Sequence, residues 1–202
     1  MELIPQIKAI GEELEKLDTK RDKLIRLSRT LNRVSGQGIT AIIQGNQPEA
    51  LLATLDDIIN QVNDYMSALL PLVTWNTVGS DIEEYSEFMI LYHIIYNNKF
   101  VLPNEIKIPP WIWLTSIADV IGEIRRIILR KLIDQDFNAA MKYYVILSEL
   151  SAALRGQTFS KSLIPNLRRK IDVVRAITEK TESDIANASL RYNKLLRKDE
   201  EK

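Results

Sequence analysis

WIWLTSIADVIGEIRRIILRKLI, residues 111–133, decides the fold. Ile117, Val120, Ile121, Ile124 and Ile128 recur every three or four positions, the spacing that lays side chains along one face of an α-helix. Asp119, Glu123, Arg126 and Arg130 fall on the opposite face, which taken alone reads as a solvated, charged surface with Glu123 and Arg126 paired.

The same period extends outward in both directions, with only 7 Gly and 7 Pro to interrupt it and no run of alternating strand residues. Upstream, DIEEYSEFMILYHIIY (81–96) starts a helix near Ser80 or Asp81, where Ser80 and Glu83 have capping-box spacing. From Phe88 to Ile95 it is apolar around nearly its whole circumference, which predicts burial on most sides, with His93 as a core histidine holding a hydrogen-bond partner. Further upstream a helix runs from about Pro48 to Leu70. Leu3, Ile7, Ile10, Leu14, Leu17, Leu24 and Leu31 make a seven-residue seam, broken by Arg21 and Ser28, in a long first helix that GQG (36–38) either kinks or ends. Downstream, DQDFNAAMKYYVILSELSAALRG gives a fifth helix closed by Gly156, and Ser162 and Pro165 open a last long one. The expected architecture is all-α: one domain, residues 1–202, of about six or seven antiparallel helices, with a frayed tail at 197–202.

Composition narrows the chemistry. The 27 basic and 27 acidic side chains cancel, so no global field recruits a polyanion and nucleic-acid binding must use local patches. With no cysteine there is no disulfide or thiolate site, and the single histidine, His93, leaves little room for His-rich metal sites or a Ser-His pair. MELIPQIKAI lacks the marks of a signal peptide and no segment has the apolar length of a membrane span, so the expected location is the cytoplasm.

Within this frame two acidic pairs stand out. Glu84 with Glu87, and Asp119 with Glu123, are each spaced to share a helix face, so two helices meeting there present four carboxylates to a hard cation. All-oxygen ligation favours Mg²⁺, with Mn²⁺ as substitute, and carboxylate-held magnesium usually serves phosphate chemistry. A di-iron centre is disfavoured, since it needs Glu-x-x-His motifs. Arg125, Arg126, Arg130 and Lys131 follow the second pair and are candidates to hold a nucleic-acid backbone, as are Arg168, Arg169 and Lys170. Such runs are ordinarily solvated faces unless they line a concavity with the acids. Trp111 and Trp113 fit base stacking less well than core or subunit packing.

Three stretches resemble the translin and translin-associated factor X (TRAX) family: RDKLIRLSR (21–29), IADVIGEIRR (117–126) and NLRRKIDVVRAITEK (166–180). The resemblance covers nearly the whole chain in order and implies a translin-type bundle. Glu84, Glu87 and Asp119 match the factor-X branch's metal-binding catalytic acids, and Glu123 sits where both branches carry an acid. The implied activity is a Mg²⁺-dependent endoribonuclease that cleaves single-stranded RNA inside a homo-oligomeric shell, expected as an octamer. Glu123 either completes the ligand set or orients water. The chain lacks a nuclear-import run and carries EEYSE where translin has a His/Arg-rich segment, pointing to a prokaryotic, archaeal, self-assembling version. Two alternatives remain: a non-catalytic RNA- or ssDNA-binding scaffold, and an all-α nucleoside-triphosphate pyrophosphohydrolase. That last class shares the E-E-x-x-E pattern of Glu83, Glu84 and Glu87 but expects Glu-x-x-Asp where this chain has Asp119 and Glu123.

Overall fold

A computed structural model describes residues 3–200, with side chains through Tyr192. Six α-helices follow in chain order, with no strand among the described residues: α1 (Leu3–Ile43), α2 (Leu52–Leu69), α3 (Gly79–Tyr96), α4 (Pro110–Ile133), α5 (Phe137–Arg155) and α6 (Leu167–Glu200). The expected fraying at 197–202 falls outside the residues whose side chains are described.

The faces that apolar spacing marks on α2 and α4 are buried. On α4, Ile117, Val120, Ile121, Ile124 and Ile128 are all buried, as are Leu55, Ile58, Ile59 and Val62 on α2. Complete burial of one such side chain contributes about 1.5–3 kcal/mol. The middle helix, α3, sits between neighbours on several sides, with Phe88, Ile90, Leu91, Tyr92 and Ile94 in the core. His93 differs from expectation. It is half-buried at the edge of α3, its Nδ1 lies 2.8 Å from the Asn97 amide, and burial lowers its pKa.

The capping box does not form. The helix starts at Gly79, so Ser80 lies inside it, apolar Val78 stands at the N-cap, and Glu83 turns to Thr115 and Lys170. Asp136 does cap α5, accepting from the Ala139 amide at 3.0 Å. Ser28, which interrupts the apolar seam of α1, is buried and donates to Asp81 at 2.6 Å, so the polar break is a fastening between α1 and α3. Trp113 donates its indole N–H to the Val101 carbonyl and Trp111 packs near Gly79, placing both rings in packing roles.

Helix direction follows from connection length. A three-residue turn joins α4 to α5, which return antiparallel. The connector at residues 97–109 is long enough to run back along α2, where Lys107 bonds Asp56 and Asn60 and its carbonyl accepts from Asn63. The chain therefore starts α4 at the same end as α3. Three contacts in step fix this direction: Gly79 with Trp111, Glu83 with Thr115 and Ser86 with Ser116. In the same way α1 runs with α3 (Ser28 to Asp81, Gly38 to Phe88), and α6 with α4 (Lys170 to Asp119, Arg125 to Asp184). Four parallel helices thus bring the first half of α3, α4 and α6 beside the last turns of α1.

Candidate functional site

Small residues let those helices close on each other. Gly36 and Gly38 of α1 face α3. A Cβ on Gly38 would come within 2.4 Å of the Phe88 ring, and one on Gly36 within 3.1 Å of Glu84 Oε1. Between α3 and α4 the Ser86 and Ser116 hydroxyls meet at 2.6 Å in full burial. GQG does not end α1, which is continuous through Ile43. Its glycines are the seat of the neighbouring helix.

Directly beside these contacts lies an open cavity of about 500 Å³, lined by Glu83, Glu84 and Glu87 of α3, Asp119 and Glu123 of α4, Gly36 and Thr40 of α1, and Val173 and Ile177 of α6. The two acidic pairs found by spacing therefore share one chamber. Asp119 and Glu123 leave the solvated face expected of them because α6 and α3 flank that side of α4, leaving the Glu123 side chain 17% exposed.

The electrostatics are those of crowded carboxylates. Glu87 is 8% exposed and its pKa is pushed up to about 9, first by burial and then by repulsion from Glu84, Asp119 and Glu123, with no hydrogen bond to offset the cost. Burial, with Asp119 and Glu123, also raises Glu84. Asp119 rises through burial, against the pull of Lys170. That lysine, from α6, sits 2.7 Å from Asp119 and 3.2 Å from Glu83. Glu123 instead pairs with Arg126 of its own helix at 2.8 Å.

Glu83 and Lys170 are the site residues that spacing alone leaves unassigned. Glu83 is one residue outside the i,i+3 pair, and Lys170 reads as part of a basic run until α6 is docked. Of the basic candidates, Arg126 lines the cavity. Arg125 is corrected. It is 12% exposed and bound to Thr181 and Asp184 of α6, which makes it a fastening between helices and leaves no free guanidinium for a backbone. Arg130 pairs with Asp134 at the far end of α4, and Lys131 beside it is half-buried, so neither reaches the cavity.

An all-oxygen donor set of this kind fits a hard divalent cation, Mg²⁺ or Mn²⁺, and the rise in Glu84, Glu87 and Asp119 marks a charge deficit that such an ion would cancel. Among the described residues no three acids stand around a common point, so a cation held by three of them would require side-chain rotation.

No family model matches the chain. Its fold nevertheless has close solved counterparts. The crystal structure of AfC3PO superposes with a TM-score of 0.84 at 25% identity, over 92% of this chain and 98% of that one. The AfC3PO complex with duplex RNA gives 0.83, also at 25% identity, over 92% and 97%. The apo-NeC3PO structure, 23% identical, gives 0.72 over 91% and 97% and speaks to the fold alone. The class is therefore the all-α, translin-type fold. More narrowly, the likeness to these C3PO structures supports a translin/TRAX-like protein. In sequence it is also 27% identical over 173 residues to the uncharacterized protein MJ0175 of Methanocaldococcus jannaschii, covering 83% of this chain and 76% of that protein.

Proposed function

We propose that this chain binds RNA and, as a homo-oligomer, cleaves single-stranded RNA in a Mg²⁺-dependent endonucleolytic reaction. The observation that carries the proposal is the convergence of Glu84, Glu87, Asp119 and Glu123 on one solvent-open cavity, with Glu87 buried among the other acids. The structural likeness to an AfC3PO–duplex RNA complex supports RNA as the ligand.

Glu84, Glu87 and Asp119 would hold the ion, with Glu123 as fourth ligand or as acceptor for a water. A Mg²⁺ ion held there would supply polarisation of a phosphoryl oxygen and stabilisation of developing negative charge. The protein's own contributions are separable from that. Gly36, Gly38 and the Ser86–Ser116 pair hold α1, α3 and α4 close together beside the acids. Lys170 anchors Asp119 and keeps one positive charge beside it, while Arg126 lines the cavity paired with Glu123. Ile39, Val173 and Ile177 add apolar surface to the lining.

The test is cleavage of a fluorescent single-stranded RNA with Mg²⁺, with EDTA, and by Glu87→Gln with Mg²⁺. Cleavage in the first condition, with loss of at least about 100-fold in the others, is expected from removal of a metal ligand. Equal rates in all three reject the nuclease.

A second reading, the non-catalytic RNA-binding scaffold, is favoured by one observation: Asp119 and Glu123 already have cationic partners in Lys170 and Arg126. Tight RNA binding that persists in EDTA, with no turnover under any metal, decides for it.

A further inference from the structure

An acidic cavity by itself repels a phosphodiester, and a chain of zero net charge offers no long-range attraction to overcome that. A nucleic acid reaching these carboxylates needs cations at the rim. Arg126 is occupied by Glu123, and Arg125, Arg130 and Lys131 are spent or distant as described above.

Another set of cations lies on α1. Arg26, Arg29 and Arg33 follow one another at three and four residues, so they project along one stripe of the helix. Continued at the same spacing, that stripe reaches Gly36 and Thr40, both of which line the acidic cavity. All three arginines are exposed, and the ion pairs of α1 among the described residues are confined to Arg21 with Asp18 and Asp22. On α6, exposed Arg169 stands one turn before Val173, another cavity-lining residue. Because α1 and α6 run in the same direction as α3 and α4, Arg33 and Arg169 both stand on the N-terminal side of the cavity.

We propose that Arg26, Arg29 and Arg33, joined by Arg169, form a phosphate-binding track that leads a nucleic-acid strand into the acidic cavity. From Arg26 to Arg33 the helix rises about 10 Å, a length comparable to a short run of backbone phosphates. Guanidinium groups suit the task, since each presents a planar fork of donors to phosphate oxygens. Contacts of this kind read the backbone and not the bases, so the track is indifferent to sequence. The proposal rests on RNA being the ligand of the site, and the test separates the two.

Binding of a labelled single-stranded RNA is followed by fluorescence anisotropy over a salt series, with the full chain carrying Glu87→Gln so that the RNA stays intact. Adding Arg26→Gln, Arg29→Gln and Arg33→Gln together is expected to weaken binding by about 10-fold or more near 0.1 M salt and to reduce the slope of log K against log salt by about two to three. Arg130→Gln is expected to bind as the parent does. The three side chains are exposed, and an unchanged circular dichroism melt checks that the fold is intact. A triple variant with the parent's affinity and slope overturns the track while leaving RNA as the ligand. Equal loss in Arg130→Gln also overturns it, because the effect would then be one of general charge. A parent that binds no RNA overturns the RNA reading and the track with it.

Discussion

Glu87 concentrates the tension of the site in one side chain. A carboxyl at 8% exposure among three other acids is held protonated in the metal-free fold up to about pH 9, whereas in the unfolded chain it ionises near 4.5. The folded state therefore retains a proton that the unfolded state gives up. Its contribution to stability is fully present below about pH 4.5 and is lost progressively as pH rises toward about 9. Glu87→Gln, which keeps the shape and removes the charge, should melt at a higher temperature than the parent in EDTA, by a margin that grows between pH 5 and 9. A margin that is flat with pH would show that the carboxyl is not desolvated. Saturating Mg²⁺ should remove much of the difference, since an ion that binds only the folded parent stabilises it by mass action.

At the scale of the helices, the cavity depends on how closely α1 lies on α3. Gly38→Ala places a methyl group 2.4 Å from the Phe88 ring and should destabilise the fold by about 1–3 kcal/mol through overpacking, read from urea denaturation. Gly11→Ala on the same helix meets nothing within 4 Å and should instead stabilise by about 0.5–1 kcal/mol, the usual gain for alanine within a helix. Similar losses at the two positions would dismiss close approach as the reason for Gly38. These glycines also show where the sequence was readable. Apolar period placed α4 to within a residue of its observed Pro110–Ile133 and marked its buried stripe, because the signal is local and repeated. The acid pairs were visible for the same reason. Gly36 and Gly38 resembled a breaker, since single-chain spacing carries no information about a helix from another part of the chain. Arg125 resembled a free cation until its partners Thr181 and Asp184, more than fifty residues away, were in place. The 97–109 connector is the largest gap of this kind. Nothing in its local pattern says that it runs back along α2, yet that path makes α3 and α4 parallel and brings Glu84 and Glu87 beside Asp119 and Glu123.

For the whole molecule, the decisive feature is the part of α1 that the rest of the chain does not cover. At about 1.5 Å per residue its 41 residues extend about 60 Å, and burial begins only at Leu24. Before that, the seam of Leu3, Ile7, Ile10 and Leu14 is exposed at 53%, 60%, 57% and 53%, and Ile4 beside it at 80%. An apolar stripe at seven-residue spacing on a projecting helix is costly in water and suited to pairing with another helix. No helix among the described residues is long and apolar enough to cross a membrane, so a membrane-spanning helix does not account for the stripe. A second copy of the chain carries the matching surface, and self-association through this arm would set several acidic cavities in one assembly, as the proposed nuclease requires. Ile7→Asp with Ile10→Asp should therefore lower the mass measured by light scattering after size exclusion while leaving helical circular dichroism nearly unchanged, because both residues are solvent-exposed within one subunit. If the variant keeps the parent's mass, the arm is not the contact between copies. If the parent is itself monomeric at micromolar concentration, self-association fails altogether, and the cavity must then act on RNA as an open site on a single chain.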